Sequence, residues 1–322
     1  MLRFLGAALA VLMTCATARA ESVMTVESHP SVALGRDFPF TVYLPDGYER
    51  GDLRYPVLYL LHGAGGDENA WARDGGIKAT ADALIAGGAI PPAIIVMPGC
   101  RTCWWVDGAT DKAETAFWSE LVPAVQRRFR TIETRGGRLV AGLSAGGYGA
   151  VRFAMRYPDR IAAVAALSPA IYAETPPAIS SARVQPPFLR PDGSFDEAAW
   201  KSKNYPSLID WYCRQKQRVA FFLLSGDDDR YGIAFETMTL YKQLSIHQPE
   251  LAELRIVDGD HSWSMWSKSI AGAMRYVFTY AEKPAPVVAV RTGGAALPDH
   301  QTPSQVASGR GLAGSPPILP YP

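Results

Sequence analysis

Apolar residues in this chain come in short continuous runs separated by stretches of helical period. Eight runs read as strands: residues 23–27, 38–44, 57–61, 93–97, 139–142, 162–167, 219–225 and 254–257. From the third onward they are apolar at nearly every position, the pattern of strands covered on both faces. Between them, apolar positions recur every 3.6 residues, as in 114–130, 148–157 and 235–246. The alternation predicts an α/β fold: a mostly parallel eight-stranded sheet with helices on both faces. Residues 172–214 break the rhythm and carry Pro176, Pro177, Pro186, Pro187, Pro191 and Pro206. They read as an excursion over the sheet and a candidate cap.

The two ends differ from the middle. Residues 1–20 have Arg3, an apolar stretch from Phe4 to Met13, and Ala18-Arg19-Ala20. That is the layout of a secretory signal peptide cleaved near Ala20, and it predicts a periplasmic or secreted protein. Residues 283–322 hold eight prolines with scattered Gly and Ser and no sustained period, so they read as a disordered tail. The folded domain is therefore expected over 21–282.

With 48% hydrophobic and 20% charged residues, the 322-residue chain can bury a core. Lys+Arg is 32 and Asp+Glu 31 with no charged block, which disfavours a nucleic acid partner. No apolar run beyond the leader is long enough for a membrane span. Removing the leader's two arginines leaves 30 basic against 31 acidic residues, a net charge of −1. Cys100, Cys103 and Cys213 remain, an odd number in a compartment that permits disulfides. Cys100 is expected to pair with Cys103 or Cys213. A zinc site would need a second ligand pair, so no metal and no cofactor is expected.

Gly142-Leu143-Ser144-Ala145-Gly146 has the G-x-S-x-G form. An apolar strand runs into it and a helical run follows, the setting in which a serine on a strained turn is exposed as a nucleophile. A serine hydroxyl needs a neighbouring base that is itself oriented by an acid. Downstream histidines are His247, His261 and His300. His247 lies at a helix end and His300 in the tail. His261 follows the last strand directly, where a loop can hold an imidazole over Ser144. The acid is expected after the preceding strand, where Asp227, Asp228 and Asp229 stand together, with Asp258 and Asp260 as weaker candidates. His62-Gly63-Ala64-Gly65-Gly66 ends the third strand. Its small residues let backbone N–H groups converge on an oxyanion, the expected donors being the amides of Ala64 and Ala145. His62 is read as shaping that loop. Trp71, Trp104 and Tyr148, with Trp105, Tyr172, Trp211 and Tyr231, are candidates to line an acyl or aryl pocket.

These segments together resemble the esterase D-like family of α/β-hydrolases, which includes S-formylglutathione hydrolase, feruloyl and acetyl-xylan esterases and the antigen 85 mycolyltransferases. The resemblance is carried by Val42-Tyr-Leu-Pro45, Tyr59-Leu-Leu-His-Gly63, Trp104-Trp-Val-Asp107, Gly142-Leu-Ser-Ala-Gly-Gly147, Ser225-Gly-Asp-Asp-Asp229 and Gly259-Asp-His-Ser-Trp263 with Trp266. It spans about residues 30–281. It implies the α/β-hydrolase fold, a Ser144–His261–Asp229 triad, oxyanion amides at Ala64 and Ala145, and hydrolysis of a small-molecule or saccharide ester through an acyl-enzyme. The alternatives on the same fold are an acyltransferase of the mycolyltransferase type and an inactive binding module. The Cys100/Cys103 pair, the proline-rich excursion and the tail depart from the family pattern. No sequence signal sets an oligomeric state.

Overall fold

The computed structural model describes residues 21–286 apart from Thr102. The expected leader, His300 and the tail beyond Pro286 lie outside the described residues. Among the described residues there are ten strands: β1 (Val23–Ser31), β2 (Arg36–Leu44), β3 (Leu53–Arg54), β4 (Val57–Leu61), β5 (Ile94–Pro98), β6 (Arg138–Leu143), β7 (Ala163–Leu167), β8 (Ala220–Gly226), β9 (Ala252–Val257) and β10 (Ala285–Pro286). Eight form one sheet in the order β1-β2-β5-β4-β6-β7-β8-β9. The six from β5 to β9 run parallel, and β2 joins β5 antiparallel. All eight strands expected from the sequence are in this sheet. The short pair β3 and β10 is an addition that two-residue strands do not announce.

Alternation along each strand feeds two cores. Val57, Tyr59 and Leu61 of β4 face one cluster with Phe117, Val122 and Val151, whereas Leu58 and Leu60 face the other with Ile77, Ile270 and Met274. In β8, Phe221 and Leu223 divide from Phe222 and Leu224 in the same way. Helices Ile77–Ala86 and Trp263–Phe278 therefore cover one face, and Val122–Arg128 and Ala145–Arg156 the other.

The helical run expected over 114–130 is present in three pieces: Ala113–Thr115, a π-helical segment Ala116–Leu121, and Val122–Arg128. Pro123 has no N–H to return to the carbonyl four residues back, and the helix widens just ahead of it. Buried Glu114 ties this run to the next helix. It accepts from Arg152 Nε at 2.7 Å and from the Tyr157 hydroxyl at 2.7 Å, and it forms an ion pair with Arg156 at 3.0 Å. A carboxylate this deep is tolerated because two cations and a hydroxyl use its oxygens.

The proline-rich excursion folds into short helices, among them Glu197–Lys203 and Ile209–Cys213, over an aromatic cluster of Phe188, Trp200 and Tyr205. Its Lys203 carbonyl accepts from the Tyr148 hydroxyl at 2.8 Å and from Arg152. The excursion is thus fastened to the helix behind Ser144. Cys100 is joined to Cys103, and Cys213 is a free thiol. Of the two expected partners for Cys100, the nearer one is used.

Two outcomes are expected. A chain ending at Pro286 should keep its melting temperature, because Glu282 still donates its N–H to Gly136 O and its carboxylate still accepts from Thr134. A fall of more than a few degrees would show that residues beyond 286 pack on the domain. Thiol counting on denatured, unreduced protein lacking residues 1–20 should find one free thiol, and three would contradict the pairing.

Candidate active site

In a parallel sheet all carboxyl ends meet at one edge, and this edge gathers the expected residues. Ser144 follows β6 and stands at the start of helix Ala145–Arg156 with φ 52° and ψ −117°. A left-handed serine between a strand and a helix needs neighbours without side chains. At Gly146 an added Cβ would lie 2.5 Å from Leu61 O and 2.6 Å from His62 O, so only glycine lets the helix approach β4. Ser144 N–H donates to Leu167 O at 2.9 Å, and its carbonyl accepts from Tyr148 and Ala170.

His261 follows β9, and its Nε2 accepts from Ser144 Oγ at 2.9 Å. Its Nδ1–H donates to Asp229 Oδ2 at 2.7 Å, and the other Asp229 oxygen accepts from Tyr231 N–H at 3.0 Å. These contacts place serine, imidazole and carboxylate in one hydrogen-bonded chain. The Asp229 side chain is fully buried and that of His261 nearly so. Tyr231 and Trp266 pack edge-on against the imidazole at 4.8 and 4.9 Å between ring centres, and Trp266 is pinned by Ser168.

The remaining acidic candidates fall outside this chain. Asp227 Oδ1 accepts from the Asp228 and Gly259 amides, tying together the loops that carry Asp229 and His261. The carboxylates of Asp227, Asp228 and Asp258 gather on the exposed surface within 4.8 Å of one another. Asp260 is exposed and accepts from Ser262. His247 ends helix Ile233–His247, away from the triad edge.

Beside Ser144, three successive carbonyls of the β4 loop are held by ring N–H groups. Trp71 Nε1 donates to Leu61 O at 3.1 Å, Trp105 Nε1 to His62 O at 3.1 Å, and His62 Nδ1 to Gly63 O at 2.6 Å. His62 Nε2 accepts from Cys100 N–H at 3.0 Å. With one ring nitrogen accepting and the other donating, His62 is a neutral imidazole of fixed tautomer. Its burial pulls it from the usual value near 6.5 down to about 4. Of the expected oxyanion donors, Ala64 is exposed at the same space, and Ala145 directly follows Ser144 at the start of a helix whose first N–H groups have no intrahelical acceptor.

A cavity of about 380 Å³ opens over Ser144. Of the expected pocket aromatics, Trp104, Tyr172 and Tyr231 border it. Trp71 and Tyr148 do not, and this corrects the sequence reading. Both are 1% exposed, Trp71 being spent on the Leu61 carbonyl and Tyr148 on the Lys203 carbonyl. Trp105 is likewise buried against His62, and Trp211 is a surface residue away from the cavity. The sequence reading missed Trp263 and Trp266 as walls, although their position just after His261 is a usable signal. It also missed Arg73, Asp74, Ser180 and Ser181 at the cavity. Ser180 and Ser181 belong to the excursion, which therefore does border the site.

One consequence concerns pH. Above pH 6.5 His62 is neutral folded or unfolded, and its contribution is complete. As pH falls toward 4 the unfolded chain takes up a proton that folded His62 refuses, so stability drops by up to about 3 kcal/mol. Denaturant unfolding at pH 7 and 4.5 should show a smaller loss in His62→Asn than in the wild type. Equal losses would contradict a buried neutral His62.

A family described as Putative esterase matches residues 31–277. An esterase of Mycobacterium tuberculosis is 36% identical over 143 residues, covering 42% of this chain and 30% of its own length. An endo-1,4-beta-xylanase/feruloyl esterase of Xylanibacter ruminicola is 36% identical over 138 residues, covering 40% of this chain and 19% of its own length. The match thus spans less than a third of these relatives. Among solved structures, a ferulic acid esterase superposes with a TM-score of 0.68 at 27% identity, over 82% of this chain and all of that one. An S-formylglutathione hydrolase of Agrobacterium tumefaciens superposes with a TM-score of 0.65 at 19% identity, over 81% of this chain and 96% of its own, a likeness of fold.

Proposed function

We propose, given that this chain belongs to the Putative esterase family, that it is an exported serine carboxylesterase working through an acyl-enzyme. The observation that carries the reading is the unbroken chain from Ser144 Oγ to His261 at 2.9 Å and from His261 to Asp229 at 2.7 Å. Ser144 Oγ attacks the ester carbonyl while His261 Nε2 takes its proton. The negative charge then forms on the carbonyl oxygen, where the amides of Ala64 and Ala145 donate to it. Collapse breaks the bond to the alcohol, which leaves with the proton returned by His261. Water repeats the sequence, and the acid is released with Ser144 restored. Asp229 keeps the imidazole in the tautomer that can accept from serine, and it stabilises the imidazolium that forms.

The acid part of the substrate is proposed to be aromatic. Support comes from the cavity walls Trp104, Tyr172, Tyr231, Trp263 and Trp266, and from the similarity to a ferulic acid esterase. Export is supported by the leader-like residues 1–20 and by the likeness to an endo-1,4-beta-xylanase/feruloyl esterase. Among the described residues no helix is long and apolar enough to cross a membrane.

Ser144→Ala and His261→Ala should each lower kcat by up to about 10⁶, by analogy with other serine triads. Asp229→Asn should cost about 10⁴. Asp227→Asn should change little, since asparagine keeps the oxygen that accepts from Gly259. A fluorophosphonate should label Ser144 and no other residue. Damage from Asp228→Asn with none from Asp229→Asn would move the acid, and failure of folded protein to label would overturn the reading. With a feruloyl and an acetyl ester of one alcohol, kcat/KM should favour the feruloyl ester at least tenfold, and the reverse order would contradict an aromatic acyl site. With a sugar alcohol added, free acid should remain the main product. Predominant transfer to the sugar would make the chain an acyltransferase.

A further inference from the structure

The peptide joining Gly63 to Ala64 is trans, as are all peptides of the described chain. Planarity therefore points the Gly63 carbonyl and the Ala64 N–H in opposite directions. Whatever fixes the carbonyl also aims the amide. Gly63 O is fixed from two sides, by His62 Nδ1–H at 2.6 Å and by Gly66 N–H at 3.1 Å. Both donors hold it in one direction, in a loop so close to Ser144 that a Cβ placed on Gly63 would lie 3.3 Å from the serine's Cβ.

His62 can donate from Nδ1 only while Nε2 accepts, and Nε2 accepts from Cys100 N–H. Cys100 opens the loop closed by its bond to Cys103. The same loop continues into Trp105, which holds a positive φ of 56° and donates its ring N–H to His62 O. One anchor of His62 thus comes from the first residue of the disulfide-closed loop and the other from Trp105, two residues beyond it. The imidazole itself has no free volume, since a Cβ on Gly66 would meet its ring atoms at 2.9 Å.

We propose that His62 is a positioning residue that aims the Ala64 amide at the oxyanion, and that the Cys100–Cys103 disulfide holds it in that role. The proposal rests on the esterase reading given above. It also assigns the cysteine pair a task within the site, where the sequence pattern offers only a departure from the family.

The test separates the two contacts of the ring. Asparagine places a side-chain N–H where histidine carries Nδ1–H, so His62→Asn keeps the bond to Gly63 O. Glutamine reaches the Nε2 position, so His62→Gln keeps a partner for Cys100 and loses the bond to Gly63. On oxidised full-length protein with p-nitrophenyl acetate, His62→Gln should lower kcat about ten- to hundredfold with KM within about threefold, the signature of a mis-aimed oxyanion donor. His62→Asn should recover most of that loss. A second arm uses Cys103→Ser, with folding checked by near-ultraviolet circular dichroism, and kcat should fall about tenfold.

Full kcat in His62→Gln, or a loss confined to KM, overturns the proposal. So does His62→Asn with no better kcat than His62→Gln. If His62→Gln does not fold, Cys103→Ser decides alone: lowered kcat with KM kept supports the role, and unchanged kcat removes it. Wild-type hydrolysis that survives Ser144→Ala would sink the esterase reading itself. Activity that depends on Ser144 but ignores His62 would sink only this inference.

Discussion

Ser144 is held at φ 52°, a conformation that costs an L-residue of this kind about 1–3 kcal/mol. Such strain persists only where the surroundings leave no alternative. Here the serine's own N–H and C=O are engaged by Leu167, Tyr148 and Ala170, and Gly146 lets helix Ala145–Arg156 press against the end of β4. Relaxing the turn would break those bonds and separate the helix from the sheet. The hydroxyl is therefore kept at the sheet edge, partly exposed, within reach of His261, carried three strands away.

From that constraint the rest of the site follows by sheet register. β4 and β9 lie on opposite sides of β6, the strand that leads into Ser144, with β7 and β8 between β6 and β9. The loop after β4 therefore meets Ser144 from one side, and the loops after β8 and β9 meet it from the other. The residues proposed to react and those that hold the loop are different. Ser144, His261 and Asp229 form the hydrogen-bonded chain, while Trp71, Trp105 and His62 spend their ring N–H groups on three successive backbone carbonyls. Rings suit this second task. They are stiff, they bury well, and each has a donor that must find a partner once buried.

This division explains what could be read from the sequence and what could not. Strand periodicity and the small residues around Ser144 are local signals, and they located the sheet, the turn that carries Ser144 and the loop that brings His261 to it. Separating Asp229 from Asp227 and Asp228 depends on which carboxylate turns inward, which residue type alone does not encode; only the likeness to a family favoured Asp229. Trp71 and Tyr148 look like pocket residues by proximity to the motifs. Their ring nitrogen and hydroxyl are used on a carbonyl of β4 ten residues back and on one of the excursion 55 residues on, pairings that residue type alone does not announce. The pairing of β3 with β10 joins residues more than two hundred positions apart through two-residue strands, so no periodicity marks it.

The central claim is that Ser144 becomes covalently acylated during turnover. Rapid mixing with excess p-nitrophenyl ester, an acid quench within milliseconds and peptide mass mapping measure it directly. One acyl group per chain is expected on the peptide containing Ser144 while p-nitrophenol is being released, and none on Ser144→Ala. Steady release of p-nitrophenol with no adduct on Ser144, or with the adduct on another residue, would contradict it.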